Sequence, residues 1–185
     1  MPGALYFTDS DEANELIARD PLALLIGFAL DQQVSVQKAF VGPLVLRERI
    51  GTLDAATIAS MDPERLEDAC RQRPAIHRFP GAMARRVQDL CAVVAEEYGG
   101  DAERVWAEAI DAADLRRRIA ALPGFGKMKV TALGSVLALR FGVESASELV
   151  PSYPTLGGVD SPEALADYQA KKRAHKASLR AAQTA

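Results

Sequence analysis

The chain has 185 residues, of which 49% are hydrophobic and 25% are charged, and its formal net charge is −3. Such a composition is typical of a folded globular domain and excludes a disordered or low-complexity chain. Only two cysteines are present, so a disulfide framework and a four-cysteine metal site are both excluded. The acidic balance argues against indiscriminate binding of polyanions, although it leaves room for a local basic patch.

The N-terminal residues carry no signal-peptide pattern, and no apolar run of the sequence reaches the length of a membrane span. These two features predict a cytoplasmic protein. Alanine is abundant, aromatic residues are scarce, and no long alternating pattern indicates strands. The chain is therefore predicted to be all-α.

The first half of the sequence predicts six helices. The segment that follows Asp20-Pro21 is apolar on nearly every face up to Leu30, which is typical of a helix buried all round. Gly51 and the pair Gly99-Gly100 are predicted to end the third and sixth helices. In chain order the predicted helices are Asp11–Arg19, Pro21–Leu30, Val34–Arg49, Asp54–Ser60, Pro63–Cys70 and Ala82–Tyr98.

The second half predicts a helical hairpin, followed after an irregular stretch by a basic C-terminal helix. No internal repeat or linker divides the sequence, so residues 1–185 are predicted to form one domain with two helical lobes. The predicted elements are, in chain order, helices over Val105–Ile110 and Asp114–Ala121, the hairpin at residues 115–141 with its second helix at Met128–Phe141, an irregular stretch at residues 143–158, and the C-terminal helix at residues 162–182.

The turn of this hairpin is the segment LPGFGK at residues 122–127. Its two glycines let the backbone turn tightly and approach a ligand closely, because neither carries a Cβ. The first N–H groups of the following helix, the positive end of its dipole and the charge of Lys127 together predict an anion site. The natural anion for such a turn is a nucleic-acid phosphate.

Two further segments carry polar side chains in unusual places. Gln32 and Gln33 follow the apolar helix directly, which places two amides in an exposed turn. The segment FPGAMARRV at residues 79–87 begins a helix that carries Arg85 and Arg86, and arginines at such a position suit phosphate contacts. Ordinary surface roles, a polar turn and solvated arginines, stay open for both segments.

In this order, the three segments resemble the helix-hairpin-helix (HhH-GPD) superfamily of DNA glycosylases, whose members include endonuclease III and the adenine, 8-oxoguanine and 3-methyladenine glycosylases. The similarity covers about residues 20–142. It implies the bilobed helix-hairpin-helix DNA glycosylase fold, base-excision repair as the process, and double-stranded DNA with a damaged base as the partner. The DNA-binding residues that it implies are Gln32, Gln33, Arg85, Arg86, Leu122, Gly124, Phe125, Gly126, Lys127 and Lys129.

The resemblance gives the two glutamines a specific role. In the family, a side chain from this turn fills the gap left by a base that has been flipped out of the duplex. Extrusion of a base costs about a few kcal/mol, so a side chain in the gap stabilises the opened DNA.

In family members that also cleave the strand, a nucleophilic lysine lies two residues after the second glycine of the turn. Here that position is Met128, and Lys127 and Lys129 flank it. One residue on a helix rotates a side chain by about 100°, so neither lysine replaces the missing one directly. The resemblance therefore implies a monofunctional enzyme that uses water as the nucleophile, without AP-lyase activity.

The catalytic carboxylate of the family begins the helix after the hairpin helix, and Asp160 in the segment GVDSP is the candidate. An ionised carboxylate there would stabilise the oxocarbenium-like sugar as the base leaves. The alternative is that Asp160 or Ser161 is an ordinary helix cap before Pro162. Glu144 and Glu148 are rival carboxylates in the irregular stretch.

No metal site built from side chains is expected, because the sequence holds two histidines and two cysteines, Cys70 and Cys91. The iron–sulfur cluster of several family members is not expected for the same reason. The resemblance implies at most a structural K⁺ or Na⁺ ion at the hairpin, held by backbone carbonyls. The carbonyls concerned are those of Ala120, Leu122 and Phe125.

Three other features have an expected place. His77 lies in a proline-containing loop at residues 71–81 and is expected to be solvated, with contact to DNA as the alternative. Trp106 is expected in the core. The basic run Lys171–Lys176 of the last helix would either extend a DNA-binding face or form ordinary solvated surface.

The sequence thus favours a monofunctional DNA glycosylase, monomeric and associated with the nucleoid in the cytoplasm. One alternative is a non-catalytic DNA-binding or damage-sensing protein of the same fold, and another is a module for protein contacts. Nothing in the sequence selects the lesion, because the shape of a base pocket depends on the positions of side chains.

Overall fold

A computed structural model describes residues 1–183, and residues 184–185 of the predicted domain lie outside this range. The described chain is helical and contains no strand, which confirms the all-α prediction. None of its described helices is both long and apolar enough to cross a membrane. The helices are α1 (Asp11–Arg19), α2 (Pro21–Leu30), α3 (Val36–Ile50), α4 (Ala55–Ala59), α5 (Pro63–Arg71), α6 (Pro80–Tyr98), α7 (Arg104–Ala107), α8 (Ala112–Ala121), α9 (Lys127–Phe141) and α10 (Pro162–Gln183), with two 3₁₀ helices at Glu144–Leu149 and Leu156–Gly158.

Polar side chains next to the helices set where the helices begin. The Asp20 carboxylate accepts hydrogen bonds from two N–H groups in the first turn of α2, at 2.9 and 3.1 Å. Ser35 Oγ accepts from the Lys38 N–H at 3.2 Å. Because Ser35 is the cap, α3 begins at Val36 and not at the predicted Val34.

The segment before the hairpin contains less helix than predicted. α7 ends at Ala107 rather than at Ile110. Asp111 then accepts a hydrogen bond from the Asp114 N–H at 2.7 Å and starts α8. The cap residue has an extended backbone, so the helix cannot run through it. Trp106 of α7 is buried, which confirms its expected place in the core.

Helix α2 is the centre of the core. Nine of its ten residues are buried, as a helix that is apolar on all faces predicts, and α1, α3 and α6 pack around it. The Phe40 ring of α3 makes edge-to-face contacts with Phe7 and Phe28, with ring centroids 5.0 Å apart in both pairs. The buried hydrophobic side chains of the described chain belong to one continuous cluster.

Helix α9 organises the second half of the chain, and both 3₁₀ helices pack along it. α10 is held mainly near its beginning, where Leu165 is buried and Gln169 Nε2 donates to Gln37 Oε1 at 2.9 Å. From Ala170 to residue 182 its side chains are exposed, so the basic run of the sequence lies on the surface. This helix therefore adds little to the core and much to the charge of the surface.

A close contact between the second 3₁₀ helix and α9 gives a test of the fold. A Cβ on Gly157 would lie 2.5 Å from the backbone oxygen of Ser135, closer than such atoms can approach. We expect Gly157→Ala to lower the free energy of unfolding by about 1–3 kcal/mol, because the 3₁₀ helix must move away from α9. Unfolding in urea measures the change.

Gly158→Ala is the control, because a Cβ there would meet nothing within 4 Å. Its effect on the free energy of unfolding is expected to stay below about 0.5 kcal/mol. Equal losses in the two variants would contradict the importance of this contact.

Candidate functional site

The turn between α8 and α9 is anchored in the core and exposed at its tip. Leu122 and Phe125 are buried, and the Phe125 N–H donates to the Leu122 carbonyl at 3.1 Å. Gly124 has a φ of +82°, in the left-handed region that favours glycine. Gly126 and Lys127 are exposed. The turn therefore presents its second glycine and the first turn of α9 to the solvent.

The beginning of α9 has the features of an anion-binding helix terminus. Gly126 is its N-cap and supplies no side-chain hydrogen bond, and the first N–H groups of a helix have no partner within the helix. A Cβ on Gly126 would meet nothing within 4 Å, so the space beside these N–H groups is open. Together with the exposed Lys127, they form the kind of site that binds phosphate oxygens.

An open cavity of about 580 Å³ lies at this turn. Its walls come from three separate parts of the chain, namely the hairpin, the turn after α2, and α6. These are the three segments on which the resemblance rests, and the fold brings them to one place. The lining residues are Gln32, Arg86, Ala120, Leu122, Gly124, Phe125, Gly126, Lys127, Met128 and Lys129.

Arg86 of α6 joins two of these walls. Its guanidinium group donates a hydrogen bond to Gln32 Oε1, and its side chain lies against the hairpin. A Cβ on Gly124 would be 2.6 Å from Arg86 Cδ, so the glycine leaves room for this contact. Arg85 lies away from the cavity lining, with Nη1 at 4.0 Å from Glu67 Oε2. Its role as a DNA contact stays a prediction.

Lys129 reaches the cavity as a half-buried amine. Its Nζ donates to the Ala29 carbonyl at 3.2 Å and lies 5.9 Å from the centre of the Phe125 ring. Burial lowers the pKa of Lys129 to about 8, the positive charge of Arg86 acts in the same direction, and the carboxylate of Asp31 opposes both. At slightly alkaline pH this side chain therefore supplies both ammonium and free amine.

Asp31 is a carboxylate for which the sequence predicted no role. It caps the C-terminus of α2, where its N–H donates to the Gly27 carbonyl at 3.0 Å. Burial raises the pKa of Asp31, while the positive charges of Lys172 and Lys129 lower it. Its signal in the sequence was an acidic residue directly after a fully apolar helix, where a half-buried charge needs a partner.

A buried histidine holds the turn at Gln32 and Gln33. His77 is 1% exposed, so the expectation of a solvated side chain is wrong. Its Nε2 lies 2.8 Å from the Gln32 carbonyl, and its Nδ1 accepts from the Phe79 N–H at 3.0 Å. These partners assign the ring proton to Nε2, which donates to the carbonyl. Gln33 has a φ of +58°, which is uncommon for a residue with a side chain.

Phe79 and Arg78 form an exposed pair beside this turn. The Phe79 ring is 44% exposed, and the Arg78 guanidinium lies 4.9 Å from its centre. Neither residue was predicted to have a separate role, since exposure cannot be judged from a loop sequence alone. Phe79 is linked to the Gln32 turn through His77, because the Phe79 N–H and the Gln32 carbonyl both bond to its ring.

Asp160 is exposed and lies before the first residue of α10. Ser161 caps this helix, since its Oγ accepts from the Ala164 N–H at 3.2 Å. Asp160 is not among the described residues that line the cavity, and its assignment as the catalytic carboxylate stays a prediction. Glu144 and Glu148 line a different groove.

The two cysteines are buried and free. Burial raises the pKa of Cys70 to about 11 and that of Cys91 to about 12. Both thiols are therefore protonated at neutral pH, and neither supplies a reactive thiolate.

No protein-family model, no curated protein and no solved structure matches the chain. A function must therefore be inferred from the chemistry of the site itself.

Proposed function

We propose that this chain is a DNA glycosylase of base-excision repair, with the bilobed helix-hairpin-helix fold that its sequence resembles. One observation carries the proposal: the hairpin turn, the Gln32 turn and Arg86 line the same open cavity. Nothing in the local structure of these segments requires them to meet. Their meeting supports a shared role, which is the binding of a duplex from which a nucleotide has been extruded.

The hairpin supplies the contact with the DNA backbone. The N–H groups at the start of α9 and the exposed Lys127 bind a phosphate, which positions the protein without reading sequence. Arg86 and Lys129 add two further positive charges at the same cavity. The acidic net charge of the chain is compatible with DNA binding, because these three cations line one site.

The Gln32–Gln33 turn supplies the side chain that fills the space left in the base stack when the damaged base is extruded. Both side chains are exposed, and Gln32 lines the cavity beside the hairpin. An amide can replace hydrogen bonds that the extruded base leaves open, which offsets part of the cost of about a few kcal/mol for unstacking.

The first candidate mechanism is hydrolysis by water, as in a monofunctional enzyme. Met128 occupies the position of the family's nucleophilic lysine, and it is 73% exposed. Asp160 then stabilises the oxocarbenium-like sugar while water attacks C1′. In this mechanism Lys129 acts as a cation that stabilises the negative charge on the departing base.

A second candidate mechanism rests on the lowered pKa of Lys129, about 8, at the edge of the cavity. The free amine forms a bond to C1′ of the sugar as the base leaves with the bonding electrons. Loss of the amine proton and opening of the sugar ring then give a Schiff base between Lys129 and the DNA. Lys129 lies one residue after the position of the family's nucleophilic lysine, which is Met128 here. In this mechanism it takes the place of that lysine.

In either mechanism the partner is double-stranded DNA with a damaged base, and the protein works as a monomer on the nucleoid in the cytoplasm. The chemistry needs no cofactor. A K⁺ or Na⁺ ion on the carbonyls of Ala120, Leu122 and Phe125 would serve only to hold the hairpin turn.

A panel of duplexes tests the proposed function. Purified protein is incubated with labelled DNA that carries uracil, hypoxanthine, alkylated purines or 8-oxoguanine, and alkali then reveals abasic sites. We expect excision of at least one lesion. Loss of this activity in Asp160→Asn is expected for the first mechanism, which uses that carboxylate. Binding that falls steeply with salt, with every lesion intact, would favour the non-catalytic DNA-binding alternative. Absence of DNA binding at low salt would overturn both.

A further inference from the structure

His77 connects the Gln32 turn, which lines the cavity, with the start of α6, which is far from it in sequence. It precedes α6 and lies 45 residues from Gln32. Its ring nevertheless contacts the backbone at both places, through the Gln32 carbonyl and the Phe79 N–H. Because the ring is 1% exposed, it cannot touch DNA itself. Any effect of His77 on DNA must therefore pass through the residues that it holds.

The loop that carries His77 is fixed by two cations of α3. Arg49 donates to three backbone carbonyls between residues 69 and 74, at 2.7–2.8 Å. Lys38 Nζ donates to the Ala75 carbonyl at 2.8 Å. His77 therefore lies in a loop that is held against α3, and its bond to the Gln32 carbonyl attaches the Gln32–Gln33 turn to this loop.

The turn itself is under backbone strain. Gln33 has a φ of +58°, in a region that costs about 1–2 kcal/mol for a residue with a Cβ. Such a conformation persists only where neighbouring contacts impose it. The ring of His77 is buried, and its Nε2 bonds to the carbonyl of the preceding residue, Gln32.

We propose that His77 is a positioning residue that holds the Gln32–Gln33 turn in the conformation that fills the gap of an opened duplex. This inference rests on the proposed function, because it assigns to the turn a contact with opened DNA. Without the bond to the Gln32 carbonyl, the Gln33 backbone relaxes and the Gln32 amide leaves its place beside Arg86.

Two variants separate the two ring nitrogens. In His77→Gln the amide group lies near the position of Nε2 and keeps the bond to the Gln32 carbonyl. In His77→Asn it lies near the position of Nδ1 and keeps only the bond to the Phe79 N–H. Affinities are measured for an undamaged duplex and for the same duplex with a tetrahydrofuran abasic-site analogue. In the analogue one base is missing from the stack, so the space that the turn would fill is already open.

We expect the wild-type protein to bind the duplex with the abasic-site analogue more tightly than the undamaged duplex. His77→Asn is expected to lose about tenfold of this preference, whereas His77→Gln keeps it within about threefold. Binding of the undamaged duplex, which depends on the hairpin, is expected to stay within about twofold in both variants. Thermal unfolding shows that both variants are folded at the assay temperature.

The pH profile tests which ring nitrogen carries the positioning role. Burial lowers the pKa of His77 from 6.5, hydrogen bonds to the carbonyls of Gln32 and Leu30 oppose this, and the charges of Lys38 and Arg78, which face the ring, lower it further. Protonation removes the acceptor for the Phe79 N–H but leaves Nε2–H donating to the Gln32 carbonyl. The preference of the wild-type protein is therefore expected to persist at acidic pH, as in His77→Gln, and its loss on protonation of His77 would overturn the positioning role of Nε2.

Each outcome has a distinct meaning. Wild-type preference retained in His77→Asn, with salt-dependent binding of DNA, would overturn the positioning role and leave the proposed function intact. Equal losses of affinity for the undamaged duplex and for the abasic-analogue duplex would overturn it too, since they would show a general structural role. Wild-type protein that binds no DNA would overturn the proposed function, and the positioning role with it.

Discussion

Replacing Gly124 by alanine is expected to weaken the binding of duplex DNA by about tenfold or more. The φ of +82° at this position costs about 1–2 kcal/mol for a residue with a Cβ. In addition, the new Cβ would lie 2.6 Å from Arg86 Cδ and would push that side chain off the hairpin. Arg86 would then lose its bond to Gln32, and the three walls of the cavity would lose their alignment. Fluorescence anisotropy with a labelled duplex at fixed low salt measures the affinity.

Gly142→Ala is a matched control for this variant. Gly142 also has a left-handed backbone, with a φ of +67°, but it caps the opposite end of α9 and a Cβ there would meet nothing within 4 Å. Both variants should lose the part of the free energy of unfolding that comes from the left-handed backbone, about 1–2 kcal/mol, whereas only Gly124→Ala should lose affinity for DNA. If both lost affinity equally, the hairpin turn would not be the place where DNA binds.

Replacing Lys129 by methionine is expected to slow excision by about 100-fold or more, on whichever lesion the panel identifies. Both candidate mechanisms need this side chain, either as a cation or as a nucleophile. The variant also leaves Asp31 without one of its two positive neighbours. Single-turnover rates at saturating protein isolate the chemical step from binding.

Lys127→Met is the control, because Lys127 lines the same cavity but is exposed. It should weaken DNA binding and leave the single-turnover rate within about threefold of the wild-type rate, since a phosphate contact positions the DNA without taking part in bond cleavage. Excision by Lys129→Met at near wild-type rate would remove Lys129 from the chemistry.

The dependence of excision on pH distinguishes the two roles of Lys129. Its pKa of about 8 sets the turning point. If the free amine attacks, the rate rises with pH and levels off above about pH 8, because protonated lysine is inactive. If the ammonium group acts as a cation, the rate is constant at lower pH and falls above about pH 8. Borohydride should give a covalent adduct of protein and DNA only in the first case, and not in Lys129→Met.

The positions of the helices could be predicted from the sequence because their signals are local. The apolar run before Leu30 predicted a buried helix, and the structure has it as α2. Errors occurred where a single cap decides the boundary, as at Ser35 and Asp111. A cap depends on one side-chain hydrogen bond, which competes with several equally polar neighbours in the same sequence.

The hairpin turn could be predicted for the same reason, since its two glycines and Lys127 lie within four consecutive residues of the sequence. The lowered pKa of Lys129 could not be predicted in this way, because the position of a residue on a helix does not say which other segments bury it. Its low pKa comes from burial against Ala29, which is 100 residues away, and from the charge of Arg86. No pattern within α9 encodes either contact.

Local sequence was therefore sufficient for the helical class, for the order of the helices and for a glycine turn suited to an anion. That His77 is buried under the Gln32 turn, and that Asp31 and Lys129 interact at the cavity, depended on the packed chain. The physical reason is that helix propensity and turn chemistry act over a few residues, whereas burial and the approach of charges are set by contacts between segments distant in sequence.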